Sequence, residues 1–236
     1  MLSLRPFLLK TSLQQIEEKK PTGLHPARTG GLGEMYLLQK LRVHLPRVCH
    51  HRREGGQGMR KEIKMAGFGG QGIVLMGVIL AEAAGYYEDL EIAQTQSYGP
   101  EARGGACRAE VVLSDEIIDY TKTLNVDVFV AMSQPALDRY LPEIDPNHAQ
   151  VFIDDTLVTR IPEEVKHLHR VSATRLAEEK CGNRMVANTI MLGVVVKKTG
   201  LISIDSLRSA IQERLPPKQR EINLKALETG LSYETL

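Results

Sequence analysis

One junction constrains this chain more than any other. The run Ile63–Phe68 stops at Gly67-Phe68-Gly69-Gly70-Gln71-Gly72 and passes directly into Ile73–Tyr86, where Val74, Val78, Ala81 and Gly85 recur at helical spacing with further apolar residues on the flanks. A buried strand, a glycine turn and a helix buried on most sides form half of a strand–helix–strand unit. That order commits the chain to an α/β fold.

The downstream pattern agrees. Glu91–Ser97 and Arg108–Ser114 alternate like strands, separated by the loop Tyr98–Ala106. Val126–Met132 and Val151–Asp154 are short apolar runs of the kind found in a sheet covered on both faces. Helices are expected at Pro135–Leu141, Ala173–Lys180 and Met185–Thr199, the last stopped by Gly200. Ser203 then caps a helix ended by Pro216-Pro217, and Gln219–Glu228 is the final helix, stopped by Gly230. The expected architecture is a three-layer open sheet, largely parallel or mixed, with a helical C-terminal part.

Charge marks a boundary. Residues 1–58 hold ten Lys/Arg against four Glu and no Asp, whereas the remainder holds twenty against twenty-five acids. The first stretch has no core-building periodicity, and glycine and proline interrupt it repeatedly. Residues 1–58 therefore read as a non-native or disordered N-terminal extension, and 59–236 as the domain. The extension ends in a second Gly-Gly-Gln-Gly, Gly55–Gly58. That copy follows His50-His51-Arg52-Arg53-Glu54 and has neither a strand before it nor a helix after it. It is read as an accident, for instance a ribosome-binding site translated as protein; a basic transit peptide is the competing reading.

Composition excludes several classes. No apolar run approaches membrane-spanning length, so no membrane partner is expected. Trp is absent and Phe and Tyr are few, which leaves little stacking surface for nucleic acid. Cys49, Cys107 and Cys181 are scattered, suit a reducing cytoplasm and form no metal or cluster motif.

Gly67, Gly69 and Gly72 formally satisfy G-x-G-x-x-G, and Gly70 and Gln71 lie between them. Such a loop can turn its N–H groups toward a phosphate or carboxylate at the positive end of a helix. It can equally serve only to pack a helix close to its strand. A stand-alone dinucleotide-binding oxidoreductase would also need an acidic residue closing the second strand, but Glu91 opens that strand and Gln96-Ser97-Tyr98 ends it. The next loop, Ser97-Tyr98-Gly99-Pro100-Glu101-Ala102-Arg103-Gly104-Gly105, leaves from the same edge of the sheet. Its glycines and proline fix the turn, and Ser97, Tyr98, Glu101 and Arg103 suit an anionic ligand or a partner subunit. An ion-paired surface turn is the plain alternative.

Met65–Gly72 taken with Ser97–Gly105 resembles the gamma subunit of 2-oxoacid:ferredoxin oxidoreductases, and the Tyr98–Gly105 segment is most similar to the 2-oxoglutarate type. The resemblance continues through Ala109-Glu110-Val111, Ser133-Gln134, Asn188, Leu192-Gly193, Asn223, Ala226 and Gly230, about residues 61–231. It implies a cytoplasmic, multi-subunit enzyme that converts a 2-oxoacid, coenzyme A and oxidised ferredoxin into acyl-CoA, carbon dioxide and reduced ferredoxin. It further implies thiamine diphosphate and iron–sulfur clusters held by alpha and beta subunits, with a ferredoxin-like delta subunit in many assemblies. This chain alone would hold no cofactor and be inactive. Its two glycine loops would close the active-site region near the nucleotide end of coenzyme A, with no catalytic residue or metal ligand assigned; a non-catalytic scaffold role remains open.

Other candidates carry plainer expectations. His167 and His169 alternate on a strand and are expected on a solvated basic face. Asp154-Asp155 is expected to cap a helix or form a turn, and Cys107 to be a small buried hydrophobe. Tyr120 and Tyr140 are expected as core or interface aromatics.

Overall fold

The computed structural model describes residues 58–97 and 106–234. The expectations for residues 1–57, including the first three glycine-tract positions, and for Tyr98–Gly105 lie outside those residues.

The described residues form six strands and six α-helices. Strand β1 (Arg60–Phe68) leads into α1 (Ile73–Tyr87), followed by β2 (Glu91–Ser97), β3 (Ala106–Ser114), β4 (Val128–Ala131) and α2 (Gln134–Tyr140). Then come β5 (Gln150–Asp154), β6 (His167–Val171), α3 (Ala173–Cys181), α4 (Ala187–Thr199), α5 (Ile204–Arg214) and α6 (Pro217–Ser232). The sheet order is β2-β3-β1-β4-β5-β6. Only β3 runs against the rest: it pairs antiparallel with both β1 and β2, while β1-β4, β4-β5 and β5-β6 are parallel. Five strands therefore point their C-terminal ends at one edge, as a largely parallel or mixed three-layer sheet requires.

The two faces are covered unequally. Ile63 and Met65 of β1 and Val111 and Leu113 of β3 point into a core shared with α1, α3, α4, α5 and α6. The opposite face carries a smaller core in which Ala66, Phe129, Ala131, Val151 and Ile153 meet Ala136, Leu137 and Tyr140 of α2. The alternation of β1 divides these sets: its odd residues face the large helical layer and its even residues the small one.

Several expected boundaries change. Gly230 does not end the last helix; it lies inside α6, where an added methyl would strike the carbonyl of Ile190 on α4. Gly193 makes the matching approach from α4 to Leu227 and Gly230. These glycines let two helices close on one another, which makes them packing positions. Helix α6 also starts earlier than expected, with Pro217 in its first turn, where a missing N–H costs nothing. Helix α4 starts at Ala187, after a 3-10 turn Arg184–Val186 capped by the Asn183 side chain. Helix α5 ends at Arg214, so its last carbonyls are met before Pro216 is reached. Ser203 caps α5 as expected, accepting from the Ser206 N–H at 3.1 Å.

Candidate functional site

The glycine turn sits where β1, an inner strand of the sheet, meets α1. Gln71 holds it: its Oε1 accepts from the Phe68 N–H at 2.7 Å, and its Nε2 donates to the Met132 carbonyl at 2.8 Å. The turn is thus tied to the end of β4 as well as to its own strand. Gly70 and Gly72 have φ of 102° and 73°, a region that side chains with a Cβ enter only under strain. Gly67 is required by space, because a Cβ there would meet the Gln71 side chain at 2.5 Å and Ile73 at 2.7 Å. Gly69 is required by neither: its φ is ordinary, and a Cβ would meet nothing within 4 Å. Of the four glycines, it alone is free of any demand from this chain's own fold.

Helix α1 begins at this turn without a side-chain cap and without an acidic residue in its first turn. Its first N–H groups and the positive end of its dipole are therefore left for an external acceptor. Ser133 follows the end of β4 at the same edge; it is fully buried, and its hydroxyl has no partner among the described residues. Its neighbour Gln134 is saturated instead, accepting from the Thr159 and Arg160 N–H groups and donating to Asp138 and the Arg160 carbonyl.

Ser97 ends β2 opposite Arg108, whose β1 partner is Ala66, so it reaches the same edge two strands away, about 10 Å by strand spacing. The following Tyr98, Gly99, Pro100, Glu101, Arg103, Gly104 and Gly105 lie outside the described residues. The strand order removes the dinucleotide reading. In that fold the strand after the first helix lies parallel beside the first strand, but here antiparallel β3 stands between β1 and β2.

A buried ionic cluster lies under this edge, and sequence reading missed it. Lys64 is nearly buried, with Nζ 2.9 Å from Glu143 and 3.3 Å from Glu110. Arg108 approaches both carboxylates at 3.7 Å, and the Thr95 hydroxyl donates to Glu110 at 3.2 Å. The signal was present in the even positions of β1 and β3, where Glu62-x-Lys64 and Arg108-x-Glu110 place charge on one face of otherwise apolar strands. Glu62, farther down that face, accepts from the Leu124 and Asn125 N–H groups and pairs with Arg60.

The remaining candidates take structural roles. Asp154 accepts from Thr156 N–H and from both the N–H and hydroxyl of Thr174, which joins the end of β5 to the start of α3. Burial pushes its carboxyl above the ordinary range, against the lowering effect of those donors. Cys107 is buried, and burial raises its thiol pKa, which keeps it inert. Tyr140 is in the core, whereas Tyr120 is half exposed. Among the described residues no group of three His, Cys, Asp or Glu could hold a metal, and no helix is long and apolar enough to cross a membrane.

Residues 62–233 match the profile of the pyruvate ferredoxin/flavodoxin oxidoreductase family. The chain belongs to that family. Relatives of this oxidoreductase family include the 2-oxoglutarate synthase subunit KorC of Methanothermobacter marburgensis, 45% identical over 177 residues, 73% of this chain and 95% of that one. The KorC of Methanocaldococcus jannaschii is 45% identical over 174 residues, 73% of this chain and 92% of its own. Among solved structures, the gamma subunit of a keto/oxoacid ferredoxin oxidoreductase from Geobacter sulfurreducens superposes with a TM-score of 0.66 at 36% identity, covering 73% of this chain and 94% of that one. This family membership makes the chain one subunit of a multi-subunit oxidoreductase.

Proposed function

We propose that this chain is the gamma subunit of a 2-oxoglutarate:ferredoxin oxidoreductase. The assembly decarboxylates 2-oxoglutarate oxidatively, transfers the acyl group to coenzyme A and passes the electrons to ferredoxin. The observation that carries the substrate is the gradient of likeness. Identity is 45–46% to three 2-oxoglutarate synthase subunits and 34% to a fourth, from Archaeoglobus fulgidus, against 34% to the pyruvate synthase subunit PorC of M. marburgensis.

Thiamine diphosphate would supply carbanion stabilisation and iron–sulfur clusters one-electron transfer in such an assembly. The described cysteines do not fit a cluster: Cys107 is buried, Cys181 is half-buried, and no third ligand joins either. Both cofactors are therefore assigned to the alpha and beta subunits, with a ferredoxin-like delta subunit where one is present. The glycine edge fits an anionic group better. The uncapped start of α1, the open space above Gly69 and the unpartnered Ser133 hydroxyl suit the diphosphate of coenzyme A, with Tyr98–Gly105 beside them. The same edge serves equally as a contact for a partner subunit.

Co-expression with the alpha and beta subunits tests the assignment, with reduction of ferredoxin followed for each 2-oxoacid. Turnover of pyruvate but not 2-oxoglutarate would overturn the substrate. An active single chain with a bound dinucleotide would overturn the family role. Arg103→Ala in the assembly is expected to cost about 1.5–3 kcal/mol in kcat/KM for coenzyme A. Unchanged kinetics would return Arg103 to an ion-paired turn, and a failure to assemble would make it an interface residue. We further propose that residues 1–58 are dispensable, since β1 and the family match both begin after Met59. A chain started at Met59 should fold and assemble, and its unfolding would refute this.

A further inference from the structure

At the opposite edge of the sheet, where β5 and β6 begin, a cleft of about 490 Å³ is lined by His148, Gln150, Lys166, His167, Leu168 and His169. Four of the six are bases, and none is an acid. Its volume lies in the range of small-molecule sites. His167 and His169 lie two residues apart on one face of β6, about 7 Å apart along the strand, and Gln150 stands opposite His167 in the register. Lys198, at the end of α4, adds to the same positive field.

This charge is not neutralised from within. Among the described residues, Lys166, His167, His169 and Lys198 make no ion pair. Asp127 and Asp145 lie beside His148, and the exposed Glu163 and Glu164 precede Lys166 in the chain without pairing with it among the described residues. Asp127 lies 3.5 Å from His148 and is itself bound by Lys61 and by the Glu62 N–H. The Asp145 carboxyl is held low chiefly by the Asn147 N–H, with His148 a lesser cause. A metal is a poor occupant: the His169 ring lies flat on Phe152 at 4.4 Å, no carboxylate lines the cleft to complete a ligand set, and the lysine charges repel a cation.

We propose that this cleft binds a small molecule carrying phosphoryl groups, with Lys166 and the two β6 imidazoles as its donors. The site is separate from the glycine edge and does not depend on the activity proposed above. The mutual repulsion of the bases fits the assignment. The His169 pKa is lowered by burial, by Lys198 and by His167, and an anion in the cleft would reverse the last two effects. Binding should therefore carry proton uptake by His169 and strengthen as pH falls through its range.

Calorimetric titration of the full chain with sodium pyrophosphate tests the proposal. A saturable site that depends on Lys166 is expected near pH 6, weakened by up to about tenfold near pH 8 if the anion raises the His169 pKa by about one unit. Lys166→Glu, at an exposed position, should weaken binding at least about fivefold with an unchanged thermal melt. In the wild type, proton NMR titration of the His169 ring should show its pKa rising on addition of pyrophosphate. Absence of saturable binding near pH 6, equal binding by Lys166→Glu, or a His169 titration that ignores pyrophosphate would each overturn it.

Discussion

Asn188, in the first turn of α4, donates from Nδ2 to the carbonyl oxygen of Gly72 at 3.2 Å, while its Oδ1 accepts from the Thr189 N–H at 2.9 Å. The link is tight enough that a methyl group on Gly72 would strike the Asn188 amide. Thr189 then donates to Asn223 on α6 at 2.7 Å. The glycine turn is thus held from behind by two C-terminal helices, and its conformation is set by their docking.

Asn188→Ala is expected to destabilise the protein by about 1–3 kcal/mol, because the Gly72 carbonyl loses a buried partner and a cavity opens behind the turn. Urea unfolding measures this. An unchanged midpoint with an unchanged slope would show that the amide contributes nothing.

Gly69→Ala and Gly230→Ala should behave oppositely. Gly230 faces the Ile190 backbone, which cannot move aside without shifting α4, so overpacking should cost about 1–3 kcal/mol. Gly69 faces open space, and its substitution should stay within about 0.5 kcal/mol of wild type. Thermal melts separate the two. In the assembled enzyme, Gly69→Ala should nevertheless lower activity, since the methyl enters the space assigned to the ligand or partner. Full activity would remove Gly69 from the site.

Lys64→Met leaves Glu110 buried beside Glu143 with only Arg108 to compensate at longer range. The expected loss is about 3–5 kcal/mol, the usual result of breaking a buried pair from one side. Adding Glu110→Gln should recover part of it. If the double variant is no more stable than the single one, the carboxylate is not the source of the loss.

Asp154 gives a pH dependence with a definite sign. Its folded pKa is raised by burial above the ordinary value of 3.8. Its contribution to stability is therefore fully present below that value and lost as pH rises through the folded value. Wild type should lose stability over this window relative to Asp154→Asn, which does not titrate, on top of a constant offset from the altered bond to Thr156. Urea midpoints across the window check this. Parallel curves for the two proteins would contradict the raised pKa.

The strand–turn–helix unit and the order of elements were legible because burial on both sheet faces leaves continuous apolar runs in the sequence. The direction of β3 was not, since a strand covered on both faces reads alike whichever way it runs. Gly230 misled for a related reason. A glycine near the end of a helical stretch resembles a stop, and only the passage of α4 at that point shows why no side chain fits. Lys64 and Glu110 were passed over because charged residues alternating on a strand normally face water. Here their partners lie on β3 and after α2, pairings that local spacing does not encode. Gly69 to Gly72 could be selected from sequence, but the division of labour among them could not. It depends on Asn188, Met132 and Ile73 on one side and on empty space on the other.

The separation of 116 positions between Gly72 and Asn188 has a consequence for biosynthesis. The turn is among the first parts of the domain to leave the ribosome, yet its clamp is translated only with α4, and the helix behind that clamp only with α6. Chains arrested before that point can build strands but cannot finish this edge. Were partner subunits to dock on this edge, assembly would select against truncated copies, because only a chain made through α6 would present a completed surface.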